Sequence, residues 1–241
     1  ARLTTPGGAE HFKPQDYANL AWAFATARHP APALFDAMAA VADDQLHRFP
    51  PQALANLAFA FVSSSHPGAE RGFLRSVADA ALPSLERFSA QNLANLALPL
   101  ASVAPALERP NLFEGIGAAA GGRLHEFTPQ GMAKLGCALA TATHYSEEHG
   151  APSQPTAALS SPAMLELFSR LAVALEPKVD CLSPQCICDV AWAFATIPGA
   201  AAGENAMPLF DALAAATAAR VGQFTPAELA KTGWAFARAS F

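Results

Sequence analysis

The chain has 241 residues, enough for one large or two ordinary domains with a real core. It is apolar and alanine-rich, and 15 Lys and Arg against 20 Asp and Glu give a formal net charge of −5. That balance excludes a polybasic, histone-like binder of nucleic acid, while a local basic stripe stays open.

In chain order, the first predicted element is the segment "FKPQDYANLAWAFATA", from Phe12 to Ala27. Pro14 suits the first helical position, where the missing N–H costs nothing. With Pro14 as position one, Tyr17, Leu20, Ala21 and Phe24 fall at positions four, seven, eight and eleven. That is the i, i+3, i+4, i+7 spacing of one apolar helix face. Ala18, Trp22 and Ala25 at positions five, nine and twelve widen the arc, so this helix is expected to pack on more than one side. A second amphipathic helix, "ALFDAMAAVADDQLHRF", then carries Phe35.

The phrase returns at Phe49, with Pro51 starting a helix whose face holds Leu54, Leu57, Ala58 and Phe61, and "GFLRS" at Phe73 opens its partner. The third copy starts at Phe88. Ser89 is its cap, Ala90 replaces the proline, and Pro99 lies inside the helix, where a proline costs on the order of 3 kcal/mol or forces a kink. "LFEGI" at Phe113 follows. The fourth copy, from Phe127, has Thr128-Pro129 at its start and Gly136-Cys137 where others have Ala-Trp. An insertion from His144 to Pro162 reads as a flexible loop before "LFSRL" at Phe168. The fifth copy runs from Leu182 through Ser183-Pro184 to "LFDAL" at Phe210. The sixth, from Phe224, carries the capping box Thr225-Pro226-Ala227-Glu228.

Six copies thus start near residues 12, 49, 88, 127, 182 and 224. Apart from the insertion their period is roughly 38–40 residues, and strand-type alternation is nowhere sustained. Two helices per period predict an all-α fold, a right-handed α-solenoid of about six paired-helix repeats forming one array over residues 1–241. Because the chain starts and stops inside a repeat, the array is expected to be part of a longer one. No stretch of roughly 18 residues is apolar without Pro, Gly or charge, so no membrane span is expected.

One polar line crosses these apolar helices. Position two is Gln15, Gln52, Gln91, Gln130 and Gln185, then Ala227. Position six is Asn19, Asn56, Asn95, Lys134, Asp189 and Lys231, and position thirteen is Thr26, Ser63, Ser102, Thr141, Thr196 and Arg238. At about 100° per residue the three positions share a narrow sector. Position nine (Trp22, Phe59, Leu98, Cys137, Trp192, Trp234) borders it. Asn and Gln carry a donor and an acceptor, as a base edge does, and Lys134, Lys231 and Arg238 suit phosphate. A row of one unit per base is how helical repeats read single-stranded RNA. The plain alternative is the solvated strip that any surface helix needs.

No catalytic constellation accompanies this line. Cys181, Cys186 and Cys188 lack paired C-x2-C spacing, so no metal site is expected, and four cysteines are too few for a disulfide scaffold. "GAAAGGR" (Gly117 to Arg123) lacks the Lys-Ser/Thr of a phosphate loop. The chain reads as a non-enzyme with no cofactor and no small-molecule substrate.

The motif "F-x-P-Q-x-x-A-N-L-A-W-A-F-A" followed by "LF-D-A" resembles the octotricopeptide-repeat (OPR) proteins of algae and related protists. The resemblance covers nearly the whole chain outside the His144 to Pro162 insertion. It implies a paired-helix solenoid in an organelle, mitochondrion or chloroplast, and binding of single-stranded or ribosomal RNA in translation, RNA stability or an organellar ribosome. The family's RNA face falls on the polar line from Gln15 to Arg238. The acidic balance and the departures at Ala90, Pro99, Gly136 and Cys137 point instead to some units serving as scaffold for other proteins of a ribonucleoprotein assembly.

Overall fold

A computed structural model describes residues 12–64, 70–107, 109–148 and 161–241, and those residues are all-helical, with no strand among them. The first helices of the copies are α1 (Pro14–Thr26), α3 (Pro51–Ser63), α5 (Ala90–Ser102), α8 (Pro129–Glu148), α10 (Pro184–Thr196) and α12 (Pro226–Arg238). The second helices are α2 (Pro32–Ala42), α4 (Glu70–Ala81), α7 (Pro110–Gly121), α9 (Pro162–Leu175) and α11 (Ala206–Ala219). A single turn, α6 (Ala104–Leu107), precedes α7 and has no counterpart in the sequence reading.

The starts of the first helices follow from local chemistry. Ser89, Thr128, Ser183 and Thr225 accept hydrogen bonds from the backbone N–H groups of Asn92, Gly131, Cys186 and Glu228 at 3.2, 3.0, 3.3 and 3.3 Å. Glu228 closes the capping box by accepting the Thr225 N–H at 2.7 Å. In α1, where the cap is Lys13, only the return half exists: Asp16 accepts the Lys13 N–H at 2.8 Å.

The second element is not one helix. Each ends in a 3-10 turn, at Asp43–Arg48, Leu82–Arg87, Leu124–Glu126, Glu176–Cys181 and Val221–Gln223. The anchor's N–H donates to the carbonyl three residues back: Phe49 to Leu46 at 3.0 Å, Phe88 to Leu85 at 3.1 Å, Phe127 to Leu124 at 3.1 Å, Leu182 to Val179 at 3.0 Å and Phe224 to Val221 at 3.2 Å. All five anchors are buried. Each tightened turn brings the buried anchor close against the end of the second helix before the next first helix starts.

Two further expectations change, and two helix ends add a feature the sequence reading did not address. The insertion begins later than His144: α8 stays helical through Glu148, and α9 starts at Pro162 behind the cap Ser161, while the segment between lies outside the described residues. Helix α5 runs unbroken through Pro99, which sits in its last turn, where Ser102 Oγ donates to the Pro99 carbonyl at 2.7 Å. α1 and α12 both end in a left-handed residue that is not glycine. Arg28 has φ 50° and Ser240 φ 59°. Their neighbours His29 and Phe241 donate to the Phe24 and Phe236 carbonyls at 3.1 and 3.0 Å, the bond that completes a Schellman end.

The residues group into two compact units, Ala1–Leu112 and Phe113–Phe241. In the first, α1 packs on α3 and α3 on α5; in the second, α8 packs on α10 and α10 on α12. Second helices lie against the 3-10 turns of the preceding copy, α4 on 43–48, α9 on 124–126 and α11 on 176–181. The cores are chains of phenylalanines that alternate between the two helix layers. Phe61 stands 5.0 Å from Phe35 and 4.4 Å from Phe73 between ring centres. Phe194 stands 5.0 Å from Phe168 and 6.5 Å from Phe210. Among the described residues no helix is long and apolar enough to cross a membrane.

Candidate functional site

Small side chains on the flanks of the first helices let neighbouring backbones approach, so what remains outward is the sector of positions two, six, nine and thirteen. In the first unit this sector is neutral. It presents Gln15, Asn19, Trp22 and Thr26 on α1, Gln52, Asn56, Phe59 and Ser63 on α3, and Gln91, Asn95, Leu98 and Ser102 on α5. All are exposed or half-buried. Gln15 Nε2 donates to Asn19 Oδ1 at 2.9 Å, so one amide orients the next along the helix.

The clearest departure from the sequence reading is position nine. It widens no buried arc in α1, α3 or α12: Trp22 is 48% exposed, Phe59 39% and Trp234 47%. Large aromatic rings held at the surface beside amide groups are a surface on which flat, partly polar groups can stack. The signal was present in the sequence, because position nine lies on the helix opposite the centre of the apolar face. It was absorbed into the apolar pattern because the residues there are themselves apolar.

The second unit holds the charges, and it uses several of them internally. Gln185 Nε2 donates to Asp189 Oδ2 at 2.9 Å, and Lys231 Nζ donates to Asp189 Oδ1 at 2.9 Å, joining α10 to α12. The same ammonium lies 4.7 Å from the centre of the Trp192 ring, which also meets the His144 ring edge to face at 6.1 Å. Arg238 Nε donates to the Ala195 carbonyl at 3.0 Å, and its guanidinium is 5.5 Å from the Trp234 ring centre. Burial pulls the Lys231 pKa down, but the hydrogen bond and negative charge of Asp189 outweigh it and hold the lysine above its ordinary value. Lys134 is exposed on α8.

Besides Gln185, Lys231 and Arg238, several expected line residues of the second unit are turned inward or tied. Thr196 is buried, 6% exposed, and its Oγ1 has no hydrogen-bond partner. Asp189 is tied by Gln185 on one carboxylate oxygen and by Lys231 on the other. Thr141 Oγ1 donates back to the Cys137 carbonyl at 2.8 Å, and Gln130 Nε2 donates to the Cys181 carbonyl at 3.1 Å. The line is therefore open over the first unit, and over the second it survives at Lys134 and at the Lys231 and Arg238 cations beside Trp192 and Trp234.

Among the described residues no group of three or more His, Cys, Asp or Glu is placed to hold a metal ion. Cys137 and Cys188 are buried packing groups; Cys181 is exposed. Burial first, then the Asp189 charge, pushes the Cys137 thiol up to about 11, and burial raises Cys188 as well. In the native protein a thiol reagent is expected to modify Cys181 first, with Cys137 and Cys188 reacting only on unfolding, as timed labelling and mass spectrometry would show. Native labelling of Cys137 as fast as Cys181 would contradict this packing. No protein-family model matches the chain, and no curated protein matches it.

Proposed function

We propose that the chain is a helical-repeat RNA-binding protein of the octotricopeptide type, one α-solenoid array that acts in organellar gene expression. It holds single-stranded or ribosomal RNA along the outward sector of its first helices, as a factor of translation or a subunit of an organellar ribosome. The observation that carries this reading is the exposed rings of each unit, Trp22 and Phe59 in the first and Trp234 in the second, each beside an amide or cationic group at positions two, six and thirteen. Base–aromatic stacking supplies affinity without sequence preference, and amides at position six add hydrogen bonds to base edges. Lys134, Lys231 and Arg238 supply phosphate contact in the second unit.

The salt dependence of retention tests it. Each phosphate contact to a single strand contributes about 0.7 to the slope of log K against log salt. The variant Lys134→Ala/Lys231→Ala/Arg238→Ala is expected to bind RNA more weakly and with a visibly shallower slope. An unchanged slope would sink the direct RNA reading.

A second reading is favoured by a specific observation. Across positions two, six, nine and thirteen of α1, α3 and α5 there is no charge, the chain carries −5 overall, and two of the three line cations are engaged internally. Aromatic groups with charge depleted are what the centre of a protein interface shows. On this reading the first unit is a scaffold for other proteins of a ribonucleoprotein assembly.

A further inference from the structure

Position six is asparagine in copies one to three and charged in copies four to six. Lys134 on α8, Asp189 on α10 and Lys231 on α12 follow one another on helices that pack α8 against α10 and α10 against α12. Asp189 thus has a lysine at the equivalent place on each neighbouring helix, and it pairs with Lys231 at 2.9 Å. Its other carboxylate oxygen accepts from Gln185, one turn back on α10, also at 2.9 Å. Trp192 lies three residues on, with its ring centre 4.7 Å from the same ammonium.

The consequence is electrostatic. The Lys231 ammonium and the Asp189 carboxylate together carry no net charge, and the Trp192 ring adds none. The pair is not sealed, since the Lys231 side chain is 35% exposed and that of Asp189 22%. A phosphate that takes the ammonium has to replace a charge-assisted hydrogen bond already made. Lys134 is exposed and stands in no ion pair among the described residues, so it gives up nothing comparable.

We propose, resting on the RNA-binding reading above, that Asp189 is a positioning residue that withholds Lys231 from RNA. Its carboxylate occupies the place a phosphate oxygen would take, and Lys231 adds a full phosphate contact only after leaving it. Copies five and six are therefore held back by one ion pair between α10 and α12, while Lys134 on α8 is ready.

The repeat itself supplies the substitution that tests this. Gln15 Nε2 donates to Asn19 Oδ1 at 2.9 Å, the counterpart of the Gln185 to Asp189 bond, so Asp189→Asn keeps the pair along the helix and removes the charge. In fluorescence anisotropy with labelled oligouridylate over a salt series, Asp189→Asn is expected to bind more tightly than the unmodified chain. Its slope of log K against log salt should be steeper by about 0.7, the share of one added phosphate contact. Asp189→Ala, which leaves no side-chain oxygen to hold the ammonium, should show the same gain. Adding Lys231→Ala to either variant should abolish it, and Lys231→Ala alone should change the slope less than it does beside Asp189→Asn. A gain that persists without Lys231 is a long-range effect of net charge and overturns the proposal. An unchanged slope in both Asp189 variants overturns it too, and leaves the RNA-binding reading intact if the unmodified chain still binds. If neither the unmodified chain nor any variant retains oligouridylate, both fall.

Discussion

Replacing Trp22, Phe59 and Trp234 together by alanine is expected to reduce affinity for single-stranded RNA by about fivefold or more for each ring in contact. Base–aromatic stacking is worth about 1–3 kcal/mol per base, and 1.4 kcal/mol is a factor of about ten. The loss should appear equally on pyrimidine and purine homopolymers, because every base has a ring face. It should also persist at high salt, where the lysine and arginine contributions fade. Since the three rings are 48%, 39% and 47% exposed, their removal leaves the helical circular dichroism and the melting temperature nearly unchanged. Fluorescence anisotropy with labelled homopolymers decides the matter. A triple variant that binds as tightly as the parent removes stacking from the mechanism, and a parent that retains no RNA favours the scaffold reading.

Phe61→Ala and Phe194→Ala are expected to be the most damaging single substitutions to stability. Each ring is almost fully buried between two second-helix phenylalanines, Phe61 between Phe35 and Phe73 and Phe194 between Phe168 and Phe210. Deleting such a ring removes its transfer free energy and leaves a cavity, costing about 3–5 kcal/mol. Domains have about 5–15 kcal/mol in total, so either variant approaches the threshold of folding. The effects should be local to a unit, because Trp22 reports on the first unit and Trp192 and Trp234 on the second. In urea, Phe61→Ala should shift the part of the transition reported by Trp22 and Phe194→Ala the part reported by Trp192 and Trp234. A shift no larger than that of the surface change Glu86→Ala would show that these rings do not hold the helix layers together.

Legibility from sequence followed the range of the interactions. Ser183 and Thr225 could be read as caps because a cap needs only its own hydroxyl and an N–H three residues on. The burial of Tyr17, Leu54, Leu57 and Phe61 followed from periodicity, because an apolar stripe has to be covered by something. The 3-10 turns before each anchor were missed, since a helix and a tightened turn share the same apolar spacing over a few residues. The insertion was drawn too wide because His144 to Glu148 have no apolar pattern, yet α8 continues through them.

At the candidate site the residue types were legible and their states were not. Asn19 and Asp189 occupy the same position of the repeat, and nothing within either helix distinguishes an amide open to solvent from a carboxylate locked by its neighbour. That difference comes from Lys231, 42 residues away in sequence and 2.9 Å away in space. Thr26 and Thr196 are likewise equivalent in the repeat. α10 ends on an extended Ile197 where α1 ends on a helical Ala27, and Arg238 reaches across from α12 to the Ala195 carbonyl.

By itself, then, the sequence determined an all-helical chain, the starts of the first helices and the centre of the face each would bury, because those depend on bonds and periodicities within about four residues. Tertiary structure alone decided which members of the polar line stay open, which cations are already paired, and that Trp22, Phe59 and Trp234 stand outward. Those outcomes depend on which helix packs beside which, and neighbours distant in the chain set the solvent exposure and charge of each site.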